Sequence, residues 1–444
     1  MKRHLSVLAI VLTVVGILLS ACAPAPTPTP TILKQTVVME KTVVVPATPA
    51  PQPTAAPVTI TYFTFSAAPD HLKDLDEMIQ IFEKAHPNIK VKVETAAWAD
   101  YFTKLQALIA GGVAPDAFEL NYENFVSFAS KGVLLDLSTL AKADSTFDAG
   151  IFYPRAYGAF NYNKMQLGLP ATFSTVVLFY NKDAFDKAKL PYPAANWTWS
   201  DAVAAAKKLT DAKAGVWGLY SPAQFWEFYK KTAQAGGSFF NPDQTQVTVN
   251  SAECVQALQT MIDFVAKDKV MPSDAEMGGV ADGDLFKSGK IMMDVTGIWM
   301  FAAFKDAPFQ WDIQVEPGIK QQATHFFANA LSVFAASKHP QEAWEWVRFF
   351  TSSPEMAKIR IRSGWELPAL SNPAYVEDYL KQAPPANRAA VFESLKYAIV
   401  PPVIARQNEM QDAVGKLIDQ VKLGQLTAKQ ALDKAKLQIE ELMK

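Results

Sequence analysis

The chain has 444 residues, 50% of them hydrophobic, so it is long enough to bury more than one core, and we expect two domains or lobes. Lysine and arginine number 42 against 44 aspartates and glutamates. The resulting net charge of -2 and pI near 6.3 argue against a polyanionic partner such as nucleic acid.

The first 21 residues carry the pattern of an export signal. Lys2 and Arg3 precede an apolar run over 5–19 that is short for a membrane-spanning helix. The run ends in Leu19-Ser20-Ala21-Cys22, which resembles the lipobox of bacterial lipoproteins, where cleavage precedes the cysteine and its sulfur receives a diacylglyceryl group. We predict a signal peptide over 1–21, lipidation of Cys22 and an extracytoplasmic protein anchored to the cell membrane. An uncleaved membrane helix is the alternative.

Residues 22–57 are predicted to form a tether, because proline and threonine dominate them and such a composition cannot build a core. A repeated Thr-Val-Val within it is assigned to the same linker. Lipidation of Cys22 leaves Cys254 without a disulfide partner. Apolar residues at helical spacing surround Cys254, which predicts a buried, inert thiol.

Hydrophobic periodicity from residue 58 predicts strands alternating with helices. Val58, Ile60 and Tyr62 indicate a strand ending near Phe65, and a helix follows from Pro69-Asp70 over 72–82. A strand over 89–93, a helix over 102–109 and a short strand over 117–120 come next. This order is typical of an α/β protein with a largely parallel sheet covered by helices.

The second half of the chain continues this alternation of strands and helices. A continuous apolar strand is predicted over 175–180, a helix capped by Ser200 follows, and another strand is expected over 291–293. The chain then ends in two amphipathic helices over 410–421 and 431–442.

Several short sequence motifs follow one another over nearly the whole of 58–444. They include Gly111-Gly112-Val113-Ala114-Pro115-Asp116, Gly168-Leu169-Pro170, Tyr180-Asn181-Lys182-Asp183, Gly297-Ile298-Trp299 and Ser337-Lys338-His339-Pro340-Gln341-Glu342-Ala343-Trp344. Together they resemble the family 1 extracellular solute-binding proteins of bacterial ABC importers, the group of maltose- and glycerol-3-phosphate-binding proteins.

The resemblance implies a two-lobed, periplasmic-binding-protein-like fold of type II, each lobe a mostly parallel sheet flanked by helices, with the ligand cleft between the lobes. Lobe one would comprise 58–172 plus 314–364, and lobe two 173–313 plus 365–444. It further implies a monomer that captures a carbohydrate, either a mono- or an oligosaccharide, and delivers it to the transmembrane subunits of an ABC permease. No cofactor is expected.

A sugar presents hydroxyls in many directions and a weakly apolar ring face, so its site needs aromatic plates and polar groups that pair with hydroxyls. Strand ends, loops and the resemblance point to ligand contacts at Phe65, Trp98, Asn121, Tyr122, Glu123, Asn124, Ser174, Gln224, Trp226, Trp299, Asn329, Trp365 and Arg406.

Three of these residues have a simpler structural alternative. Asn121 and Asn124 have the residue type of ordinary helix caps, and Trp299 could be a core tryptophan. Trp299 nevertheless aligns with an aromatic residue that stacks on sugar in similar proteins. Trp344 and Trp346 are assigned to a helix packed inward, not to the site.

The expected ligand is uncharged. A phosphorylated ligand would need converging arginines or lysines, and only Arg406 stands at a suitable place. Glu123 is the main acid among the candidates, which argues against maltose itself, because the maltose-binding relatives carry several charged contacts.

Two other functions are compatible with the same two-lobed fold: a sensor or adhesion lipoprotein, and a secreted glycoside hydrolase. The sequence contains no zinc-protease, nucleophile-elbow or phosphate-loop motif, and its five histidines have no metal-binding spacing. Asp282-Gly283-Asp284 resembles part of a calcium loop but lacks the later ligands, so a plain turn is predicted. We therefore expect neither a metal nor enzyme activity.

Overall fold

The computed structural model describes residues 57–66, 68–364 and 366–444. The predicted signal peptide, the lipidated Cys22, the tether up to residue 56 and the candidate Trp365 lie outside this part of the chain. The strands are β1 (Val58–Thr64), β2 (Ile89–Thr95), β3 (Ala117–Asn121), β4 (Asn161–Tyr162), β5 (Met165–Gln166), β6 (Leu169–Asn181), β7 (Met293–Gly297), β8 (Trp311–Gln314), β9 (Thr324–Val333), β10 (Leu367–Pro368) and β11 (Ala398–Ile399). The helices are α1 (Pro69–Ala85), α2 (Trp98–Ala110), α3 (Tyr122–Ser130), α4 (Ser138–Ala143), α5 (Pro154–Ala159), α6 (Lys182–Lys187), α7 (Trp199–Leu209), α8 (Phe225–Gln234), α9 (Ala252–Ala266), α10 (Asp274–Met277), α11 (Asp282–Lys287), α12 (Phe301–Phe304), α13 (Pro340–Ser352), α14 (Pro354–Ser363), α15 (Pro373–Leu380), α16 (Ala389–Leu395), α17 (Gln407–Lys422) and α18 (Ala428–Leu442).

Two long strands organise the main sheet. β6 is buried along its whole length; its first half pairs antiparallel with β9, and its second half pairs antiparallel with β7 and β8. β9 also pairs antiparallel with β3, whereas β1 lies between β2 and β3 and is parallel to both. β6 thereby connects two groups of strands.

The sheet is mixed, so the expectation of mostly parallel pairing is wrong, while the α/β class is confirmed. The alternation of strands and helices correctly indicated parallel pairing only for β1, β2 and β3. Pairing of β6 with β9 joins segments about 150 residues apart, and local periodicity carries no information on the direction of such a pair.

Local signals located most of the elements. Pro69 occupies the first turn of α1, and the final helices α17 and α18 follow the predicted apolar spacing. The cap of α7 is Thr198 instead of Ser200, because Thr198 and Asp201 exchange hydrogen bonds in a capping box. The strand predicted over 291–293 begins at Met293 and continues to Gly297.

The hydrophobic core consists of several separate clusters. One packs α1, α13 and α14 against β1, and it includes Trp344 and Trp346, which have no exposed surface, as predicted. Another packs α8, α9, α17 and α18 together and includes the buried Cys254. Residues Ala55–Lys444 group as one compact unit, and the lobe boundaries within it remain a prediction. Within the described residues, none of the helices is both apolar enough and long enough to cross a membrane.

Candidate functional site

A cavity of about 390 Å³ lies where β6 and β9 run side by side, and we call it the aromatic cavity. Its volume is within the range of small-molecule sites. It is lined by Phe65, Ser66, His71, Trp98, Ser174, Trp226, Trp299, Phe327, Asn329 and Glu366. Half of these side chains are aromatic and apolar, and neither lysine nor arginine is among them.

The aromatic rings of the cavity form two groups. Phe65, in the loop after β1, meets Trp98, the first residue of α2, edge to face at 4.8 Å between ring centroids. The ring centroid of Phe327 on β9 lies 5.3 Å from that of Trp299 and 6.2 Å from that of Trp226. Rings held in this way present fixed apolar surface, which suits the face of a sugar ring.

The position of Trp299 depends on Gly297 at the end of β7. The indole ring folds back over Gly297 and occupies the space where a Cβ would stand. Any side chain at position 297 would therefore displace the ring of Trp299. The absence of a side chain at Gly297 therefore allows Trp299 to reach the cavity from the end of β7.

Polar groups complete the cavity. Asn329 Nδ2 donates to Thr172 Oγ1 at 3.2 Å and to Glu366 Oε1 at 3.1 Å. Burial raises the pKa of Glu366. The hydroxyl of Ser174 is buried and has no hydrogen-bond partner among the described residues. A ligand hydroxyl placed here would satisfy Ser174, whose unpaired state otherwise costs about 1–3 kcal/mol.

A second carboxyl group lies behind Ser66. Glu119 on β3 accepts a hydrogen bond from Thr64 Oγ1 at 2.6 Å, and Ser66 Oγ stands 3.5 Å from the same oxygen. Burial raises the pKa of Glu119 to about 7. Glu119 thus orients the polar end of β1 without lining the cavity.

Six of the candidate residues meet at the aromatic cavity: Phe65, Trp98, Ser174, Trp226, Trp299 and Asn329. Sequence reasoning did not select His71, Phe327 or Glu366, which also line it. Phe327 could have been found, because it stands two residues before Asn329 on one strand and so shares its face. Glu366 directly follows the candidate Trp365, whereas nothing in the sequence distinguishes His71.

The polar run after β3 does not line the cavity. Asn121 caps α3 by accepting from the backbone N–H of Asn124 at 3.3 Å, and Tyr122 packs against Phe160. Glu123 is fully buried and faces His325. Helix capping, the simpler interpretation of the two asparagines, is therefore what the structure shows for Asn121.

Two further candidates are exposed and do not line the cavity. Gln224 precedes α8 with its side chain in solvent. Arg406 precedes α17, is 54% exposed and pairs with Glu409 at 3.3 Å. The single cation that could have held a phosphorylated ligand is thus not at the aromatic cavity.

A larger cavity of about 1010 Å³ shares His71 with the aromatic cavity. It lies among α1, α12, α14 and α15, and its lining includes the exposed Lys73, Lys305 and Lys358 but no tryptophan. Since a sugar site needs aromatic plates, the smaller cavity is the better candidate. In the part of the chain that the structure describes, no group of three histidine, cysteine, aspartate or glutamate residues is placed to hold a metal ion.

Comparison with known proteins agrees with this architecture. Residues 68–357 match the family described as bacterial extracellular solute-binding proteins. The chain belongs to this family. Its members are binding proteins and not enzymes, which agrees with the expectation from the sequence, and it is accordingly an extracellular binding protein.

Among solved structures, this extracellular solute-binding protein is similar to an ABC substrate-binding protein from Listeria monocytogenes in complex with cycloalternan. The two share 50% identity over 87% of this chain and 98% of the other, with a TM-score of 0.85. The galactooligosaccharide-binding protein of Bacillus subtilis is 25% identical over 81% of this chain and 84% of its own length. A maltooligosaccharide ABC transporter solute-binding lipoprotein of Streptococcus pneumoniae is 24% identical over 83% and 86%.

Proposed function

We propose that the chain binds a neutral oligosaccharide in the aromatic cavity and delivers it to the transmembrane subunits of an ABC permease. The observation that carries the proposal is the combination of five aromatic side chains with buried polar groups around one cavity of about 390 Å³. Aromatic faces bind sugar rings, and Ser174 and the Asn329–Glu366 pair offer hydrogen bonds to hydroxyls.

The chemistry of the lining favours a neutral ligand. An anionic ligand would need a guanidinium or ammonium partner, and the aromatic cavity presents neither. Glu366 would in addition repel an anion if it were ionised. Cycloalternan, a ligand of the 50%-identical Listeria protein, is therefore the first sugar to test.

Two parts of the proposal rest on the sequence. The lobes over 58–172 plus 314–364 and 173–313 plus 365–444 would close over the sugar, since a ligand favours the form in which it makes more contacts. Cys22, after lipidation, would hold the protein at the outer face of the membrane beside its permease. The lipoprotein name of the Streptococcus relative supports this location.

Titration calorimetry with cycloalternan, maltotriose and a galactooligosaccharide tests the proposal. We expect saturable binding of at least one of them, with a negative heat-capacity change from the buried aromatic surface. The variant Ser174→Ala should bind less tightly, by about 0.5–1.5 kcal/mol, because one hydrogen bond is lost. The absence of binding by every neutral saccharide, or equal binding of a sugar phosphate, would contradict the proposal.

A further inference from the structure

Behind the rings of Trp226 and Phe327, three buried side chains form one hydrogen-bonded chain. His325 on β9 places its Nε2 2.9 Å from Glu123 Oε1 on α3, and its Nδ1 forms a hydrogen bond with the hydroxyl of Tyr229 on α8. Glu123 and His325 have no exposed surface, and Tyr229 is 4% exposed. The chain of contacts therefore ties α3 to α8 through β9.

The middle of this chain touches the wall of the aromatic cavity. The His325 ring stacks on Phe327 at an interplanar angle of 16° and lies 5.7 Å from Trp226. Trp226 and Tyr229 are three residues apart on α8, so they share one face of the helix. A change in the His325–Tyr229 hydrogen bond would therefore shift the positions of the Trp226 and Phe327 rings.

Asn121 fixes the Glu123 oxygen that can carry a proton. Asn121 Oδ1 accepts from the backbone N–H of Asn124, so its Nδ2 is the atom that faces Glu123 Oε2 and donates to it. Oε2 is consequently an acceptor. A proton on Glu123 must then reside on Oε1, facing His325.

Two arrangements of protons satisfy the chain. With Glu123 neutral, Oε1–H donates to His325 Nε2, the ring proton is on Nδ1, and Nδ1–H donates to the Tyr229 oxygen. With Glu123 ionised, Nε2–H donates to Oε1, and Nδ1 accepts from the Tyr229 O–H. Loss of one proton from Glu123 reverses both hydrogen bonds, while His325 stays neutral because burial lowers its pKa.

We propose that Glu123, His325 and Tyr229 form a proton-switched positioning relay, in which one proton on Glu123 sets the His325 tautomer and thereby the hydrogen bond that holds α8 and Trp226 against β9 and Phe327. None of the three is a lining residue of the aromatic cavity. They act on the ligand only through the two rings, and the relay rests on the proposed function for its effect on binding.

The other ionisable groups around Glu123 are neutral or already paired, so the proton on Glu123 is shared only with His325 and Tyr229. Tyr122 on α3 and Tyr229 on α8 are neutral phenols whose pKa is raised by burial, and the charge of Lys230 is compensated by Glu227 and Glu316. At the start of α17, which packs against α3, Arg406 just before the helix and Glu409 within it are exposed and pair with each other, whereas Gln407 is buried and neutral. On β9, His325 is the ionisable group that faces Glu123, and β3 contributes Asn121. Burial raises the pKa of Glu123 to about 8, so the proton leaves within an accessible pH range.

Ligand binding should favour the protonated relay. A sugar covering Trp226 and Phe327 replaces the water on the far side of these rings by a less polar medium, and a less polar medium disfavours the ionised carboxylate of Glu123. The pKa of Glu123 then rises on binding, so affinity is highest below pH 8 and falls as the pH passes above it. Each unit by which the pKa rises corresponds to about a tenfold loss of affinity at high pH.

Nitrogen-15 NMR of histidine-labelled protein tests the relay without any ligand. We expect the His325 proton to move from Nδ1 to Nε2 between pH 6 and 10, with a midpoint near 8. Glu123→Gln, whose amide mimics the neutral acid, should keep the Nδ1–H tautomer throughout. Asp294→Asn, which neutralises a buried acid on β7 instead, should retain the wild-type transition. A single tautomer in wild type over the whole range would overturn the relay.

Calorimetry with cycloalternan tests the coupling to binding. Measured near pH 8 in two buffers of different ionisation enthalpy, binding to wild type should take up protons, and binding to Glu123→Gln should not. The affinity of Glu123→Gln should also be flat from pH 6 to 10, while Tyr229→Phe should weaken binding several-fold at pH 7. A flat wild-type profile without proton uptake would overturn the coupling. If neither cycloalternan nor any other neutral saccharide binds, the proposed function fails, and the NMR titration still decides the relay.

Discussion

Replacing Trp299 by alanine should weaken sugar binding while leaving the protein folded. The ring is half-buried against Phe327 and lines the aromatic cavity, which leaves on the order of 80 Å² of its surface for a ligand. At about 25 cal/mol per Å², losing that contact costs about 2 kcal/mol of binding free energy. The dissociation constant should rise about 30-fold.

The same substitution should lower stability moderately and leave the protein folded. The buried half of the ring contributes about 2 kcal/mol and the aromatic pair with Phe327 about 0.5–1.5 kcal/mol more, which together correspond to a fall in Tm of about 5 °C in a chain of this size. Calorimetry with cycloalternan measures the first effect and differential scanning calorimetry the second. Trp197→Ala, at a half-buried tryptophan that contacts Phe185 away from the cavity, is the matched control and should leave affinity unchanged.

Two results would refute this reasoning. A Trp299→Ala variant that binds the sugar as tightly as wild type would show that the ring does not contact the ligand. A large fall in Tm together with loss of binding would show that Trp299 is chiefly a core residue. Either result would remove Trp299 from the proposed ligand contacts.

Three other substitutions test separate parts of the structure. Gly297→Ala should displace the ring of Trp299 and weaken binding by about tenfold in calorimetry, since a Cβ overlaps the indole; unaltered affinity would mean that the ring moves without consequence. Glu119→Gln should unfold at the same urea concentration as wild type near pH 4.5 but be more stable by up to about 3 kcal/mol at pH 8. The reason is that the pKa of Glu119 is about 7 in the folded state and 4.5 as its ordinary value, so wild type loses stability as the pH rises between these values; parallel curves would contradict the assignment. Wild type should be labelled by a radioactive fatty acid and Cys22→Ala should not, and a wild-type protein without label would indicate an uncleaved helix.

The lining of the aromatic cavity suits an uncharged ligand. Glu366 is held by Asn329 and has a raised pKa, so it can meet a hydroxyl as an acceptor or as a neutral acid. The lysines of the adjacent larger cavity are exposed and line a different surface. These features restrict the proposed ligand to neutral saccharides without choosing among them.

The sequence by itself determined the order of strands and helices, the α/β class and the family resemblance. These properties follow from local patterns: alternation in β1, helical spacing in α17 and α18, and the inward tryptophans of α13 depend only on neighbours along the chain. The family resemblance selected Trp226 and Trp299, because Trp226 matches a position that contacts the ligand in similar proteins and Trp299 aligns with an aromatic residue that stacks on sugar.

Only the tertiary structure decided which polar side chains face the aromatic cavity. Asn121 and Glu123 follow a strand end, as site residues do, but one caps α3 and the other faces His325, which comes about 200 residues later. Phe327 reaches the cavity because β9 pairs with β6, and Glu366 reaches it because β10, which it directly precedes, also pairs with β6. Long-range pairing sets the direction of those strands and the neighbours of each side chain, and hydrophobic periodicity contains neither.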